Sequence, residues 1–335
     1  AGLTFDSFAI GGGTPLLLTV PQLEQLMATA ALFGVHPSHA FTSVETSPEY
    51  ADRPRLNVLK KAGVSRVSIG IQSFQDEELK AIKRRPRQNT IYQALDDIRQ
   101  MDFPYFNIDL IYGIKGQTVE SFLYSLEEAL RFQPNELFIY PLYVRQGTGI
   151  TEREPDDVCF RMYRAACKLL QAKGFLQTSM RRFIHHPSTD AEVSCGDEVM
   201  LSCGSGGRSY LGDLHYATRY TVCQQCIARE IDEYMATTDF TVARNGFILS
   251  AKEQQQRFII KNLMYYMGID KAEYTRRFGE PLDRTPLFRQ LAEQYWIEET
   301  PERIRLTPEG LGYSDYIGQL FITPEIRQLM ETYSY

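Results

Sequence analysis

Five places in the sequence carry groups that could together hold a polar, zwitterionic ligand: a glycine turn, three side chains and a basic cluster. In the turn, three glycines including Gly12 and Gly13 are followed by Thr14. Glycines let a backbone turn tightly and present its N–H and C=O groups without interference from a Cβ atom. Such a turn can also be purely structural. Because no Gly-Lys-Ser/Thr follows, it is not a Walker loop for phosphate.

The three side chains are those of Glu45, Gln72 and Asp109. Glu45 ends one β-branched run, and Gln72 ends another with an amide that can form two hydrogen bonds. Asp109 interrupts an apolar run, where carboxylates are seldom buried without a partner. That partner would be either a ligand hydroxyl or amine, or an arginine of the protein itself.

The basic cluster, KRRPR at 83–87, contains Arg84. This cluster can be interpreted in two ways. The cations can be a solvated helix end, where they meet the negative end of the helix dipole. Alternatively, one arginine turns inward and holds a ligand carboxylate with its planar fork.

Strand-like and helical patterns alternate over the first 180 residues and would position these groups. Strand-like runs lie at 7–10, 41–45, 65–71, 106–111, 136–143 and, more weakly, 175–180. Between them lie helical patterns, for example at 118–132, where apolar residues recur at i, i+3, i+4 spacing and Thr118 and Ser121 could cap the start. The alternation predicts an α/β fold with parallel strands and right-handed crossovers. Sites in such folds gather at the C-terminal ends of the strands, near which the five features fall.

The rest of the chain has a different character. Residues 184–250 are predicted to be an irregular, glycine-rich connecting or substrate region after a barrel domain at 1–183. Residues 251–335 are predicted to form a helical domain with a hairpin at 296–298 and 303–306, which resembles a winged helix. In an acidic chain this module is better interpreted as a packing domain or lid than as a DNA-binding domain.

Composition argues against several classes of protein. The net charge of −6 over 335 residues gives no basic footprint for nucleic acid. No run approaches the 18 or so apolar residues of a membrane span. The six cysteines are scattered without the spacing of a disulfide scaffold, which favours a reducing cytoplasm.

Four motifs occur in a specific order: GGGTP, VETSP, VSIGIQSF and NIDLIYGIKGQT. Together with CGSGGRSYLG and a C-terminal LTPEG, they resemble the radical S-adenosylmethionine (SAM) family of oxygen-independent coproporphyrinogen III oxidase (HemN). The resemblance implies a partial (β/α)6 barrel, a [4Fe–4S] cluster and SAM bound across the strand ends. By position it implies a SAM site made by the glycine turn and five side chains: Gly12, Gly13, Thr14, Glu45, Gln72, Arg84, Asp109 and Tyr143.

The family's cluster motif, C-x3-C-x2-C upstream of GGGTP, does not occur in this sequence. We expect the first barrel strand and the cluster cysteines to lie upstream of this chain, and we assign no metal ligand within it. Cys223 and Cys226 have metal-ligand spacing, and Cys195 and Cys203 could join them. Unliganded thiols are the favoured interpretation.

Other departures concern the branch of the family and its substrate. Lys115 stands where many relatives have proline, and EVSCGD at 192–197 replaces an HNxxYW-like segment of the heme-chaperone branch, so a heme chaperone is disfavoured. Arg145, Arg181 and Arg182 could bind an acidic substrate. His215 is a weaker candidate on the substrate side.

The leading hypothesis is a radical SAM enzyme that abstracts hydrogen from a small molecule, with a porphyrinogen as one specific case. The resemblance implies a one-electron reductant of flavodoxin or ferredoxin type, and no side chain is assigned a catalytic role. The alternative is a HemN-like protein without a cluster that binds heme or another ligand. An aldolase-like barrel enzyme would need a catalytic lysine, for which Lys115 is the nearest candidate.

Overall fold

The computed structural model of the chain describes residues 5–35, 40–85, 87–145, 147–185, 199–219, 221, 224–282 and 285–332. Contacts divide the chain into two units, one of residues 1–176 and 181–194 and one of residues 177–180 and 195–335. The predicted boundaries at 183 and 250 stay predictions. None of the helices in the described ranges is long and apolar enough to cross a membrane.

A seven-stranded sheet is the centre of the first unit. Its strands are β1 (Ser7–Ile10), β2 (Phe41–Thr46), β3 (Arg66–Gln72), β4 (Tyr105–Tyr112), β5 (Glu136–Pro141), β6 (Leu176–Gln177) and β7 (Arg182–Ile184). Strands β1 to β5 pair in parallel and in chain order, as the sequence predicted. The sixth strand differs from the prediction: β6 is short and lies at the edge, while β7 lies beside β5 and runs antiparallel to it. The connection at 178–181 is too short for a crossover that would return the chain in parallel.

Helices connect the parallel strands. They are α1 (Val20–Leu32), α2 (Arg53–Lys61), α3 (Asp76–Ala81), α4 (Gln88–Met101), α5 (Val119–Leu130) and α6 (Asp156–Ala172). The predicted caps of α5 are present, because Thr118 and Ser121 form a reciprocal capping box. Asp52 caps α2 by accepting a hydrogen bond from the backbone N–H of Arg55.

The two faces of the parallel sheet differ in polarity. One face consists of fully buried aliphatic side chains, among them Val44, Val67, Ile69, Ile108, Leu110, Leu137 and Ile139. The other, which we call the polar face, carries Ser43, Glu45, Ser68, Asn107, Asp109, Glu136 and Tyr140. Parallel sheets are usually apolar on both faces because helices cover both. The alternation here indicates that helices cover the aliphatic face and that the polar face has another use.

A buried ion triad anchors one part of the polar face. Glu136 is 2% exposed and accepts hydrogen bonds from Arg66 Nε at 2.5 Å and Arg182 Nε at 3.1 Å. Burial alone would raise the pKa of Glu136, but the charges and hydrogen bonds of the two arginines outweigh it and hold the pKa below its usual range. Since Arg66 lies on β3, Glu136 on β5 and Arg182 on β7, the triad ties three strands together.

The second unit begins with a small antiparallel sheet where the sequence predicted an irregular region. Its strands are β8 (Val199–Met200), β9 (Arg208–Leu211), β10 (Leu214–Ala217) and β11 (Gly246–Ile248), in the order β11-β10-β9-β8. Helix α7 (Gln224–Met235) lies between β10 and β11. Strands of two to four residues are too short for a period-two pattern to stand out in the sequence.

The C-terminal part of the second unit is the predicted helical domain with a hairpin. Its elements are α8 (Ala251–Leu263), β12 (Ile269–Asp270), α9 (Lys271–Phe278), α10 (Pro286–Glu293), β13 (Ile297–Glu299), β14 (Arg303–Leu306), α11 (Pro308–Gly312), α12 (Ser314–Leu320) and α13 (Pro324–Thr332). The three strands form a sheet in the order β12-β14-β13. Buried side chains such as Leu263, Ile269 and Ile317 form one apolar core under it.

The ion triad generates a prediction about stability. Glu136→Gln should lower the free energy of unfolding at pH 7 by about 3 kcal/mol, because it leaves two arginines without their buried partner. The pKa of Glu136 is lower in the folded than in the unfolded chain, so its stabilisation is present above about pH 4.3 and is lost as the pH falls through the folded value. Urea unfolding at pH 7 and pH 3.5 measures both effects.

The control for this experiment is Glu77→Gln, which removes an exposed partner of Lys80. An exposed pair contributes at most about 1 kcal/mol. Equal stability losses in the two variants, or a loss for Glu136→Gln that does not shrink at low pH, would contradict the role of the triad.

Candidate functional site

The glycine turn lies at the end of β1, against Glu45 at the end of β2. A Cβ atom on Gly11 would lie 3.0 Å from Glu45 Cδ, so the absence of a side chain there lets the carboxylate lie against the backbone. Gly12 and Gly13 adopt φ values of 77° and 61°, and a Cβ on either would meet nothing within 4 Å. Thr14 starts a short 3-10 helix at Pro15–Leu17. The turn thus presents backbone groups to open space beside a carboxylate.

Gln72 ends β3 in a strained conformation. Its φ of 72° is in the left-handed region, and the pairing of β3 with β4 shifts register between Gly70 and Gln72. The side chain folds back over the strand, since a Cβ on Gly70 would lie 2.5 Å from Gln72 Nε2. A left-handed residue other than glycine costs roughly 1–2 kcal/mol and marks positions that the surrounding structure must hold in place.

Asp109 belongs to a hydrogen-bonded cluster at the centre of the polar face. Asn107 Nδ2 donates to Asp109 Oδ1 and to Ser68 Oγ, both at 2.7 Å, and Ser68 Oγ donates to Asp109 Oδ2 at 3.3 Å. Asn107 is fully buried, and its Oδ1 has no hydrogen-bond partner among the described residues. A buried acceptor without a donor is costly, so the cluster lacks one hydrogen-bond donor.

Burial raises the pKa of Asp109 to about 6. The hydrogen bond from Asn107 and the charge of Arg66 lower the pKa and only partly offset the burial, while the negative charge of Glu45 raises it further. Neutral donors rather than a bonded arginine surround this carboxylate. The sequence allowed an arginine of the protein to be the partner of Asp109. No arginine among the described residues bonds to Asp109 directly, because the nearby Arg66 donates to Glu136 and Ser43 instead.

Arg84 follows α3 and is exposed. Its guanidinium forms no hydrogen bond or ion pair with the residues that the structure describes. The side chain therefore does not turn inward, as it would to hold a ligand carboxylate. It lines a cavity of about 1060 Å³ with Lys83, Arg85 and Arg87. Lys83 Nζ lies 2.1 Å from where a Cβ of Gly149 would be, so the basic segment packs against the loop after β5.

Tyr143 and Arg181, predicted from the sequence for SAM and substrate respectively, lie together. Arg181 donates to Tyr143 Oη at 2.5 Å, and its guanidinium lies 5.9 Å from the ring centroid. Arg145 is also exposed, two residues further along the chain. Tyr143 and Arg181 thus form a cationic and aromatic pair beyond the end of β5.

His215 lies in the second unit, on β10. Its ring stacks on Tyr210 at 4.2 Å and meets Phe247 edge-on at 5.1 Å. Burial, with the charges of Arg208 and Arg257, lowers the pKa of His215, and Nε2 has no hydrogen-bond partner among the described residues. The ring is therefore a neutral part of an aromatic stack.

Four cysteines have described positions, and none of them forms a disulfide bond with a described residue: Cys159, Cys167, Cys203 and Cys226. Cys195 and Cys223, two of the four considered as metal ligands, lie outside the described residues. Within the described ranges, no three His, Cys, Asp or Glu side chains converge as metal ligands would. Lys115 is exposed and lies 3.9 Å from Glu154 Oε1, in an ion pair rather than at a strand end suited to amine catalysis.

Sequence reasoning missed Ser68 and Asn107, which hold Asp109, and the two partners of Glu136. A signal was present. Polar residues recur at every second position of strands whose other positions are aliphatic, as in Asn107 and Asp109 of β4. That alternation indicates one polar face, and its polar members are candidates for the site.

Comparisons with known proteins agree with this architecture. Residues 4–129 match the radical SAM superfamily, and residues 249–312 match the HemN C-terminal domain. The heme chaperone HemW of Bacillus subtilis (strain 168) is 27% identical over 93% of this chain and 85% of its own length. The oxygen-independent coproporphyrinogen III oxidase of Escherichia coli (strain K12) is 25% identical over 92% of this chain and 72% of its own.

A solved structure shows the same fold. Coproporphyrinogen III oxidase (HemN) from Escherichia coli superimposes with a TM-score of 0.77 at 22% identity, covering 95% of this chain and 78% of that one. The predicted radical SAM fold with a C-terminal helical domain is therefore confirmed. The chain carries a radical SAM domain followed by a HemN C-terminal domain and is homologous to HemW and to oxygen-independent coproporphyrinogen III oxidase.

Proposed function

We propose that this chain binds SAM along the strand ends of the polar face and acts as a radical SAM enzyme on an acidic small molecule. The observation that carries the proposal is the Asp109 cluster: a partly buried carboxylate with a raised pKa beside an amide oxygen, Asn107 Oδ1, that has no donor. Perturbed carboxylates and unsatisfied buried acceptors are features of a binding site.

The groups at these strand ends of the polar face are chemically suited to SAM. SAM carries an ammonium, a sulfonium and ribose hydroxyls, which are cations and hydrogen-bond donors for the carboxylates of Glu45 and Asp109. The amide of Gln72 can both donate and accept. The open backbone of the turn at 12–14 can bind the methionine amine. The carboxylate of SAM requires a cation, and Arg84 has no partner among the described residues that would compete.

The radical SAM superfamily also implies a [4Fe–4S] cluster. Within the described ranges, no three metal-ligating side chains converge that could hold one. In radical SAM enzymes, the reduced cluster and SAM together supply a 5′-deoxyadenosyl radical that abstracts hydrogen. The part of this chain is to bind and orient SAM and the substrate, with a flavodoxin-like or ferredoxin-like protein as the electron donor.

The substrate side of the proposal rests on the pair of Tyr143 and Arg181 and on the exposed Arg145. A guanidinium group beside an aromatic ring suits a ligand that combines carboxylates with a flat apolar body. A porphyrinogen has this chemistry, but so do other acidic aromatic molecules. His215, on β10 of the second unit, also stays a proposed substrate contact, because its Nε2 has no hydrogen-bond partner among the described residues.

A second candidate function is heme binding without radical chemistry. The relative named heme chaperone HemW, matched over most of both chains, favours it. The two functions differ in what the protein must bind: SAM and a cluster for the enzyme, heme for the carrier.

Asp109→Asn tests the proposed SAM site. The affinity of the wild-type chain for SAM should rise as the pH is raised through about 6, because the ionised carboxylate attracts the cationic ligand. The variant should bind SAM at least about tenfold more weakly at pH 8 and lose this pH dependence. Equilibrium dialysis with labelled SAM between pH 5 and 8 measures both effects, and identical profiles in the two proteins would refute the assignment.

The same variant should make the ligand-free protein more stable. Because the pKa of Asp109 is higher in the folded than in the unfolded chain, stability falls as the pH rises from about 3.9, and the full cost of the ionised carboxylate is present above about pH 6. Asparagine avoids this cost, which we expect to be about 1–2 kcal/mol after allowance for partial exposure. The matched control is Asp96→Asn on the exposed side of α4, which should change neither SAM binding nor stability.

A full-length gene product decides between the two functions. After anaerobic reconstitution with iron and sulfide, addition of dithionite and SAM should yield 5′-deoxyadenosine, with about four irons per chain. A product that binds no cluster and cleaves no SAM, but binds heme with a defined absorption spectrum, would replace the enzyme by the carrier.

A further inference from the structure

One buried carboxylate joins the two loops that follow β3 and β4. Glu78, on α3, is 5% exposed. It accepts hydrogen bonds from Ser73 Oγ at 2.6 Å, Gln117 Nε2 at 2.8 Å and Ser121 Oγ at 2.5 Å. Ser73 follows β3 directly, while Gln117 and Ser121 belong to the segment after β4 and the first turn of α5.

All of these donors are neutral, and no ion pair between Glu78 and a described residue is present. A carboxylate removed from water without a cation is costly unless its oxygens are fully hydrogen-bonded. Here three donors and the positive end of the α5 dipole offset that cost. An apolar residue would fill the same place on α3 without the cost, so simple packing does not account for the carboxylate.

The network extends to the backbone of both loops. Gln117 Oε1 accepts hydrogen bonds from the N–H groups of Gly113 at 2.8 Å and Ile114 at 3.2 Å, immediately after β4. Ser73 Oγ also accepts from the N–H of Gln75 at 2.9 Å. Ser125 Oγ, 3.4 Å from Ser73 Oγ, accepts from the N–H of Phe74. A single side chain, that of Glu78, therefore fixes the backbone of both loops, the one after β3 and the one after β4.

The residue next to Ser73 is Gln72, whose left-handed φ is one of the strained positions of the fold. Strain of this kind persists only where neighbouring bonds over-determine the conformation. Ser73, which follows Gln72 in the chain, is held by its hydrogen bond to Glu78. On the N-terminal side of Gln72 lies the register shift that begins at Gly70. On β4, the loop that Gln117 holds starts four residues after Asp109.

We infer that Glu78 is a positioning residue for the SAM site: it holds the loops after β3 and β4 in the geometry that aims Gln72 and Asp109 at one ligand. The inference rests on the proposed function, since it assigns Glu78 a role through two residues of that site. Glu78 itself lies beneath the loops and does not contact the ligand.

Three variants test this role. Glu78→Leu removes the shared acceptor and leaves Ser73, Gln117 and Ser121 with only their longer contacts of 3.2–3.4 Å to Ser125 Oγ, Ile111 O and Thr118 O. Glu78→Gln keeps the shape and one carbonyl acceptor, and the hydroxyls of Ser73 and Ser121 can rotate to suit an amide. Glu77→Leu is the matched control, because Glu77 is the adjacent residue on α3, its side chain is 84% exposed, and among the described residues this side chain bonds only to Lys80.

SAM affinity is measured by equilibrium dialysis at a temperature well below each unfolding midpoint, and hydrogen exchange of the Gly113 and Ile114 amides is followed without ligand. We expect Glu78→Leu to weaken SAM binding about tenfold or more and to accelerate exchange at these two amides. Glu78→Gln should stay within about threefold of the wild type, and Glu77→Leu should not differ from it. If Glu78→Leu does not fold, Ser73→Ala, which removes one donor and the acceptor for Gln75, should weaken SAM binding with no change for Glu77→Leu.

Two failures are distinguishable. A wild-type chain that does not bind SAM would overturn the proposed function, and with it the role of Glu78 in that function. A wild type that binds SAM, with Glu78→Leu or Ser73→Ala binding it equally well and exchanging Gly113 and Ile114 at the same rate, would overturn only the positioning role.

Discussion

A parallel sheet that is aliphatic on one face and polar on the other is the constraint on which the first unit depends. Successive side chains of a strand point to opposite faces, so each strand must contribute one apolar and one polar row. In β4 these rows are Ile108 and Leu110 against Asn107 and Asp109. The aliphatic rows stabilise the sheet under its helices. The polar rows cannot do so. The hydrogen bonds and ion pairs that the polar side chains form with one another offset the free-energy cost of burying them.

Those bonds separate into two kinds. Glu136 is fully paired with Arg66 and Arg182, which makes it a structural anchor with a lowered pKa. Asp109 has only neutral donors and a raised pKa, because Arg66 is committed to Glu136 and offsets its burial only in part. Two carboxylates on one face thus have opposite behaviour. The structure satisfies one internally and leaves the other suited to an external cation.

The sequence allowed much of this arrangement to be predicted. The five parallel strands, the caps of α5 and the glycine turn follow from local patterns, and the ordered motifs indicated the superfamily. The antiparallel β7 and the small sheet of β8 to β11 were not predicted, since strands this short leave no periodicity. Nor could the partners of Asp109 and Glu136 be named. They come from neighbouring strands, and which residues face each other depends on a register that single-strand patterns do not contain. The outward position of Arg84 likewise depends on how its loop packs against the one at Gly149.

The central claim is that SAM binds at the strand ends of the polar face. A crystal structure of the chain grown with SAM tests it most directly. Our account predicts electron density for SAM in contact with the turn at 12–14 and with the side chains of Glu45, Gln72 and Asp109, with a donor atom of the ligand within hydrogen-bond distance of the Asp109 cluster. SAM bound elsewhere, or at this edge without contact to Asp109, would contradict it.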